Sequence, residues 1–310
     1  KRLAAFDPHV VHIATPDLLG LGALRWARKH TIPVVATYHT HFSSYLRYYK
    51  AGLLEGGLWR YLRWFYSNCD GVYVPSQSMV DVLNAHGIHS NLHVWARGVD
   101  SQVFNVDKRS ADWRSRYGLL DDDVVVTFVG RLVLEKGLDV FADVVEGLRK
   151  RGLAHRSVVV GDGPERADMQ ARLAPLGTVF TGRLRGDDLA HAYASSDVFV
   201  FPSETETFGN VTLEAMASGV PAVCADATGS RSLVVDGETG FLAPARDSAA
   251  FLDATAQLVA DADLRDQMRA ASLERASHFT WSAILGQMID HYARHTRPSP
   301  VSSASPLVLA

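Results

Sequence analysis

The feature that most constrains the fold of this 310-residue chain is a regular alternation of short apolar runs with stretches of helical periodicity. The apolar runs are rich in Val and Ile, which is typical of strands buried on both faces of a parallel sheet. Between them, apolar residues recur at helical spacing, as in Leu138, Phe141, Val145 and Leu148. This alternation predicts a doubly wound α/β fold. The predicted strands span residues 10–13, 34–37, 72–74, 124–129, 158–160, 179–181, 198–201 and 222–225.

The chain is long enough for two cores of about 150 residues each, and its composition indicates where they separate. Residues 98–122 are polar and carry no strand signal, so we predict the domain junction there. Residues 1–107 then form one Rossmann-like domain and residues 108–279 a second, with a helix over 280–295 packing back on the first. The Pro and Ser content of residues 296–310 predicts a disordered tail.

Composition also excludes several functional classes. A net charge of −3 gives no reason to expect a nucleic-acid partner. No apolar run reaches the roughly 18 residues that a membrane-spanning helix needs. Cys69 and Cys224 form no Cys-x-x-Cys spacing, which indicates a reducing, cytoplasmic location without disulfides.

Two carboxylates stand out in the segment "FPSETETFGNVTLEAMASG", which follows the predicted strand 198–201. Glu206 lies on the loop and Glu214 inside the next predicted helix, with Gly209 between them. Active sites of open α/β sheets lie at such strand ends, and a helix start near Val211 offers free amide groups and a positive dipole to a phosphate. Taken alone, the two carboxylates are better explained by favourable electrostatics at a helix start.

Two cations occupy another strand-to-helix loop, in "FVGRLVLEKGLDVF". Arg131 offers a bidentate fork and Lys136 a mobile charge, a combination that can clamp a diphosphate. A third strand end carries Gly161-Asp162-Gly163-Pro164. This turn lacks the Gly-x-Gly-x-x-Gly spacing of dinucleotide binders, so a nicotinamide enzyme matches poorly.

Together these motifs resemble glycosyltransferase family four, the retaining nucleotide-sugar transferases of GT-B fold. The resemblance extends over most of the chain, and the segments "ATYHTHFSSYL", "VWARGVDSQVF" and "SETETFGNVTLEAMASG" are most similar to GDP-mannose-dependent α-mannosyltransferases and sulfoquinovosyl-diacylglycerol synthases. It implies transfer of a hexose, with mannose favoured, to a hydroxyl acceptor on a glycolipid or envelope glycan. It also implies an acceptor domain followed by a donor domain, with no metal or other cofactor required. GDP-mannose or a UDP-sugar is the implied donor.

The resemblance assigns roles to individual residues. Glu206 would lie beside the transferred sugar, Arg131 and Lys136 would neutralise the leaving diphosphate, and His39 would face the sugar from the first domain. Glu214 would hold the donor ribose. The remaining donor-binding positions are Phe208, Gly209, Asn210, Val211, Gly163, Gly182 and Leu184.

Members of the family begin with a strand and a Gly-rich loop that this chain lacks, so we expect the first domain to be incomplete. One alternative is therefore a non-catalytic nucleotide-sugar-binding fragment, and another is a hydrolysing sugar epimerase of the same fold. Glycoside hydrolysis is disfavoured because a hydrolase has no diphosphate for Arg131 and Lys136 to stabilise. A metal site at His39 and His41 is disfavoured because no carboxylate is nearby.

Residues 45–66 combine eight aromatic side chains with four basic ones against a single acid, Glu55. Such a segment suits the surface of an anionic membrane, which would place the protein at the inner face of the cell membrane. The other interpretation is a packed helix, with Leu58, Leu62 and Phe65 in the core and arginines in solvent. Both interpretations stay open from the sequence.

Overall fold

The structure, a computed structural model, describes residues 2–39, 55–89 and 91–295. In these ranges ten strands form two parallel sheets, of four strands in the order β1-β2-β3-β4 and of six in the order β10-β9-β8-β5-β6-β7. This confirms the predicted α/β architecture with two parallel-sheet domains. The strands are β1 Val11–Ile13, β2 Val34–Thr37, β3 Gly71–Val74, β4 Leu92–Val94, β5 Val125–Val129, β6 Arg156–Val160, β7 Val179–Gly182, β8 Val198–Phe201, β9 Ala222–Ala225 and β10 Gly240–Ala243.

Helices connect the parallel strands, as crossover connections require. Local capping fixes several of their starts, as where the Ser76 hydroxyl accepts a hydrogen bond from the amide of Met79 at 3.3 Å. The helices are α1 Arg2–Phe6, α2 Leu18–Lys29, α3 Glu55–Ser67, α4 Gln77–Ala85, α5 Ala111–Arg116, α6 Leu138–Lys150, α7 Arg166–Leu173, α8 Gly186–Ala194, α9 Asn210–Ala217, α10 Thr228–Leu233, α11 Ser248–Ala260, α12 Ala262–Ser277 and α13 Trp281–His295.

All eight predicted strands are present, with ends within two residues of the prediction. The sequence did not predict β4 and β10. These two strands lie at the outer edges of their sheets, and each is only partly buried. An edge position alone does not explain this, because the edge strands β1 and β7 were predicted.

Each sheet has its own hydrophobic core. Leu24, Val34 and Phe65 belong to the first core, whereas Phe128 and Phe199 belong to the second. The chain returns to the first domain through α13. The boundary predicted between residues 107 and 108 stays a prediction, and the predicted tail over 296–310 lies outside the described residues.

Helix α13 packs on the first sheet, where Met288 contacts Val35 and Tyr73. The hydroxyl of Tyr292 on the same helix lies 2.5 Å from Nδ1 of His12. The last helix therefore covers a face of the sheet formed by the first part of the chain.

Helix α3 contains the described part of the aromatic and basic segment, whose residues 45–54 lie outside the description. Leu62 and Phe65 are buried, while Arg60 and Arg63 are exposed. Leu58 is half-buried. For α3 this is the arrangement that the packed-helix interpretation expects, and docking of its exposed side on a membrane stays a prediction.

Candidate active site

The three loops that carry the predicted motifs emerge from neighbouring strands. Strands β8, β5 and β6 are adjacent and parallel, with Val126 opposite Val198 and Phe128 opposite Val159. Parallel strands end at the same edge of a sheet, so the segments after β5, β6 and β8 meet there. The strand order explains how residues more than 70 positions apart in sequence come together.

At this edge lies a cleft of about 320 Å³ that is lined by side chains from both domains. The first domain contributes His39 and Arg97, and the second contributes the loops after β5 and β8. Eight of the predicted site residues line it: His39, Arg131, Lys136, Glu206, Phe208, Gly209, Asn210 and Val211. The structure therefore brings the two cations, one carboxylate, the histidine and the start of α9 to one place.

A second pocket, of about 340 Å³, shares Gly130 and Arg131 with the cleft. Leu184 and Leu189 give it apolar walls, and Asp162 adds a polar group. Its volume and its combination of apolar and polar lining residues are typical of small-molecule sites.

Of the predicted donor-binding residues, Leu184 lines this second pocket, whereas Gly163 and Gly182 line neither pocket. Both glycines hold the strand-end loops together. A Cβ on Gly163 would lie 2.3 Å from the carbonyl oxygen of Leu132, which only glycine avoids. The carbonyl of Gly182 accepts a hydrogen bond from the amide of Gly161 at 2.9 Å.

Glu206 is held by three groups. The ammonium of Lys136 and the hydroxyl of Ser203, the latter at 2.9 Å, both donate to its Oε1 atom. The hydroxyl of Thr228 donates to its backbone carbonyl at 2.7 Å. The Lys136 ammonium also lies 5.8 Å from the centroid of the Phe201 ring. Because both the carboxylate and its backbone are fixed, the orientation of Glu206 in the cleft is set before any substrate arrives.

Arg131 occupies a different environment from Lys136. Its side chain is 66% exposed, and its guanidinium lies 3.6 Å from Oε1 of Glu135. It lines both the cleft and the second pocket. Arg131 is thus an accessible cation at the junction of the two pockets, where it can turn towards an anion that spans them.

The start of α9 forms another wall of the cleft. Gly209, its N-cap residue, has φ +98°, a left-handed conformation that favours glycine. The first amide groups of a helix have no partner within the helix, and its N-terminus carries a partial positive charge. Gly209, Asn210 and Val211 therefore present hydrogen-bond donors to the cleft.

Glu214 lies one turn further along α9 and lines neither pocket. It is half-buried, and its Oε2 atom accepts a hydrogen bond of 3.0 Å from the hydroxyl of Tyr193. Burial raises the pKa of Glu214 to about 7, an effect that the Tyr193 hydrogen bond partly opposes. The pKa of this carboxyl group therefore lies close to neutral pH.

His39 joins the two domains through its backbone, because its carbonyl accepts a hydrogen bond of 3.1 Å from the hydroxyl of Thr207. The carbonyl of Thr207 in turn accepts one of 3.0 Å from Ser76 of the first domain. Burial, and then the charge of Arg97, lower the pKa of His39 below its ordinary value of 6.5. At neutral pH this side chain is accordingly an uncharged hydrogen-bonding group.

Several residues of this site were not predicted from the sequence. Arg97, Ser203 and Thr207 lie in segments that resemble the family, but nothing in their spacing marked them. Tyr193 lies inside α8 and carries no local signal at all. His41, considered above with His39 as a metal ligand, lies outside the described residues.

The described residues contain neither a group of metal ligands nor a membrane-spanning helix. Across residues 2–39, 55–89 and 91–295, no three His, Cys, Asp or Glu side chains are grouped so that they could hold a metal ion. Within the same ranges, no helix combines the length and the apolar character needed to cross a membrane.

Two family models match the chain. Residues 1–103 match the family described as Glycosyltransferase Family 4, and residues 123–261 match the one described as Glycosyl transferases group 1. Each match covers one of the two sheets.

Individual proteins of known name are also similar to the chain, in sequence or in fold. The chain is 37% identical over 295 residues to a GDP-mannose-dependent alpha-mannosyltransferase of Corynebacterium glutamicum, covering 94% of this chain and 68% of that protein. It is 35% identical over 289 residues to a sulfoquinovosyl transferase of Arabidopsis thaliana, covering 91% of this chain and 56% of that protein. The fold matches sucrose-phosphate synthase of Thermosynechococcus elongatus with a TM-score of 0.79 and 24% identity, over 94% of this chain and 75% of that one. The chain belongs to glycosyltransferase family 4, and it is a glycosyltransferase that depends on a nucleotide sugar.

Proposed function

We propose that this protein transfers a hexose, with mannose favoured, from a nucleoside diphosphate sugar to a hydroxyl acceptor with retention of the anomeric configuration. The bond between the anomeric carbon and the diphosphate oxygen breaks, the acceptor oxygen takes its place, and one proton is released. One observation carries the proposal: a single cleft is lined by Arg131, Lys136 and the start of α9 on one side and by His39 of the other domain. Positive groups thus face the position where negative charge would develop.

In this proposal the diphosphate lies between the two cations and the start of α9. Lys136 is 12% exposed and fixed by Glu206, so its charge is already oriented. Arg131 is free to turn from Glu135 towards a phosphate, since an exposed ion pair stabilises the protein little. With two cations and a helix N-terminus on the leaving group, we propose that no metal ion is needed.

The remaining parts of the donor fit the surroundings of the diphosphate. Glu214 would accept hydrogen bonds from two ribose hydroxyls, and the apolar walls at Leu184 and Leu189 would hold the base. Glu206 and His39 would contact the transferred sugar, because both line the cleft beside Lys136. The role of Glu214 follows from the resemblance alone, whereas those of Leu184, Glu206 and His39 are also supported by the pockets that they line.

GDP-mannose is the favoured donor because the Corynebacterium relative is named for it, and UDP-sugars are the alternative. Titration with GDP, UDP and ADP, followed by thermal unfolding, tests this choice. We expect GDP to raise the melting temperature most, because a ligand that binds only the folded state stabilises it. Stabilisation by UDP alone would contradict the mannose assignment.

A transfer assay tests the reaction itself. The protein is incubated with GDP-mannose and a panel of lipid-linked and free sugar acceptors, with and without a chelator, and the anomeric configuration is read by NMR. Retained configuration and an unchanged rate in chelator support the proposal. A product of inverted configuration contradicts retention, and product formed without any acceptor indicates an epimerase. Binding without turnover would indicate a nucleotide-sugar-binding protein.

We also propose that the acceptor is lipid-linked and that the first domain docks on an anionic membrane. Arg60, Arg63 and Trp64 project from the exposed side of α3, and Trp64 is 45% exposed. Leu18 and Leu19 at the start of α2 are 88% and 84% exposed. The hydroxyl of Tyr61 on α3 donates to the carbonyl of Pro16 at 2.8 Å, next to α2. Neighbouring basic and exposed apolar side chains suit the interface of an anionic membrane.

A further inference from the structure

Tyr193 is a fully buried tyrosine whose hydroxyl reaches a carboxylate of the proposed donor site. Its side chain has no exposed surface, and its hydroxyl donates to Oε2 of Glu214 at 3.0 Å. The ring is held between Phe104 and Phe199, with ring centroids 5.8 Å and 6.0 Å away. A ring packed on two sides cannot easily turn, so the hydroxyl is fixed in place.

The hydrogen bond has a defined direction. Burial raises the pKa of Tyr193 well above its ordinary value, so the hydroxyl keeps its proton at every physiological pH. It therefore acts as the donor, and an ionised Glu214 is the better acceptor. The pair favours the carboxylate over the neutral acid, against the burial that raises the pKa of Glu214.

The other ionisable side chains on the elements that pack against α9 have partners elsewhere or, as with Asp263 and Glu274 on α12, are exposed. Tyr193 is the ionisable group that contacts Glu214, whereas Cys224 on β9 contacts the hydroxyl of Thr212. The partners of the others are as follows: Arg231 with Asp226, Arg269 with Asp266, Arg265 with the carbonyls of Leu258 and Val259, Arg275 with those of Ser232 and Leu233, Asp187 with Lys108, Asp188 with Arg116, and His191 with the carbonyl of Lys108.

We propose that Tyr193 is a positioning residue of the donor site, which orients Glu214 and keeps it as a carboxylate so that it can accept hydrogen bonds from the donor. This rests on the proposed function, in which Glu214 holds the ribose. Tyr193 donates one hydrogen bond to Oε2, which leaves Oε1 and the remaining lone pair of Oε2 for hydroxyl groups. Binding of the donor to the carboxylate form is coupled to loss of a proton from Glu214.

The direction of the coupling follows from the same geometry. A donor that binds only the ionised form shifts the protonation equilibrium of Glu214 towards the carboxylate. The affinity for the donor is therefore highest at high pH, and it falls as the pH drops through the pKa of Glu214 in the free protein. Without the Tyr193 hydroxyl, the carboxylate loses one stabilising hydrogen bond, and its pKa rises. The binding profile of Tyr193→Phe is therefore displaced to higher pH, whereas a purely structural defect would weaken binding equally at every pH.

The experiment measures binding of GDP-mannose and UDP-glucose by calorimetry between about pH 6 and pH 9. Nucleotide sugars are used instead of free nucleotides because the terminal phosphate of a free nucleotide itself titrates at about pH 6 and would add to the measured proton release. Each titration is run in two buffers of different ionisation enthalpy, which reveals the number of protons released. His39 titrates in the same cleft, but it is present in all variants and cancels in their comparison.

For wild type we expect proton release near neutral pH. For Tyr193→Phe we expect the affinity for the nucleotide sugars to be about tenfold lower at pH 7, because a hydrogen bond to a charged group contributes about that much. The affinity should return towards the wild-type value as the pH approaches about 9. The matched control is Tyr66→Phe, which also removes a buried hydroxyl, one without a hydrogen-bond partner in the described part of the chain.

Two results overturn the inference while leaving the proposed function intact. One is a Tyr193→Phe profile that is unshifted or lowered equally at every pH. The other is donor binding by the wild type without proton release, which needs no variant and so does not depend on how Tyr193→Phe folds. If neither sugar nucleotide binds the wild type at any pH, the proposed function itself fails.

Discussion

Lys136 and Glu206, which both line the cleft, form an ion pair with side chains that are only 12% and 19% exposed. They come from the loops after β5 and β8, so the pair links the two strand ends that carry the predicted motifs. Removing either partner leaves the other charge partly buried without its counterion, which destabilises a protein more than loss of an exposed pair does. Variants at these positions must therefore be measured for stability as well as for activity.

The two cations should differ in their effect on stability but not in the kind of catalytic defect. We expect Ala at Lys136 or Arg131 to lower kcat more than it raises the donor KM, because negative charge builds up as the diphosphate leaves. Loss of one such group typically costs about 10²–10³ in rate, or roughly 3–4 kcal/mol. Only Lys136→Ala should also lower the melting temperature, since Arg131 is 66% exposed.

Lys150→Ala serves as the control for this comparison, because it removes an exposed cation from the end of α6, away from the cleft. It should leave both kinetic constants unchanged. Unaltered kcat in Lys136→Ala and Arg131→Ala would remove the diphosphate role from the proposal.

The two carboxylates should have opposite kinetic signatures. Glu206→Gln should lower kcat, because Glu206 lines the cleft beside Lys136, where the proposed function places the reacting sugar. Glu214→Gln should act chiefly on the donor KM, because the ribose does not change during the reaction. Steady-state kinetics at saturating acceptor separates the two effects. The reverse pattern would mean that Glu214 contacts the reacting sugar and Glu206 the ribose. Full activity in both variants would mean that the two carboxylates only stabilise the start of α9 electrostatically.

Membrane docking should depend on the basic side of α3. We expect the protein to bind anionic vesicles, with binding weakened by salt, and Arg60→Gln with Arg63→Gln to weaken it further at a cost of about 1 kcal/mol per charge removed. The control is Arg149→Gln with Lys150→Gln, which removes two exposed charges from the second domain. Equal binding by both double variants would contradict docking through α3, and donor affinity should stay unchanged in each.

The histidines at the contact between α13 and the first sheet should lower stability on acidification. Burial lowers the pKa values of His12, His93 and His291 from their ordinary value of 6.5. The unfolded chain then binds protons that the folded one does not, so stability is full above pH 6.5 and is lost as the pH falls through the lowered values. Their contribution to the calorimetric melting temperature should therefore be constant above neutrality and decline below it, while Glu214, whose pKa is raised to about 7, contributes in the opposite direction.

His12→Gln should make this decline shallower, because His12 contacts both Tyr292 of α13 and Thr37 of β2. His9→Gln removes an exposed histidine and should leave the slope as in the wild type. A slope that is the same in all three proteins would mean that the contact between α13 and the first sheet is insensitive to protonation of His12.

The sequence determined the fold class and most of the cleft. Central strands of a parallel sheet are buried on both faces, so their apolar runs are visible without any knowledge of neighbours, as at β5 and β8. Once these strands are predicted, the loops that follow them are located as well, and the site motifs lie on those loops. The edge strands β4 and β10 escaped prediction although the edge strands β1 and β7 did not, so partial burial alone does not decide whether a strand is visible in the sequence.

Only the tertiary structure decided which side chains meet. Lys136 contacts Glu206 across 70 positions, and Tyr193 reaches Glu214 from a different helix. Thr207 bonds His39 across 168 positions and two domains. Such pairs depend on the order of strands within a sheet and on how the two sheets face each other. Local periodicity reports whether a residue is buried, but it does not report what it is buried against.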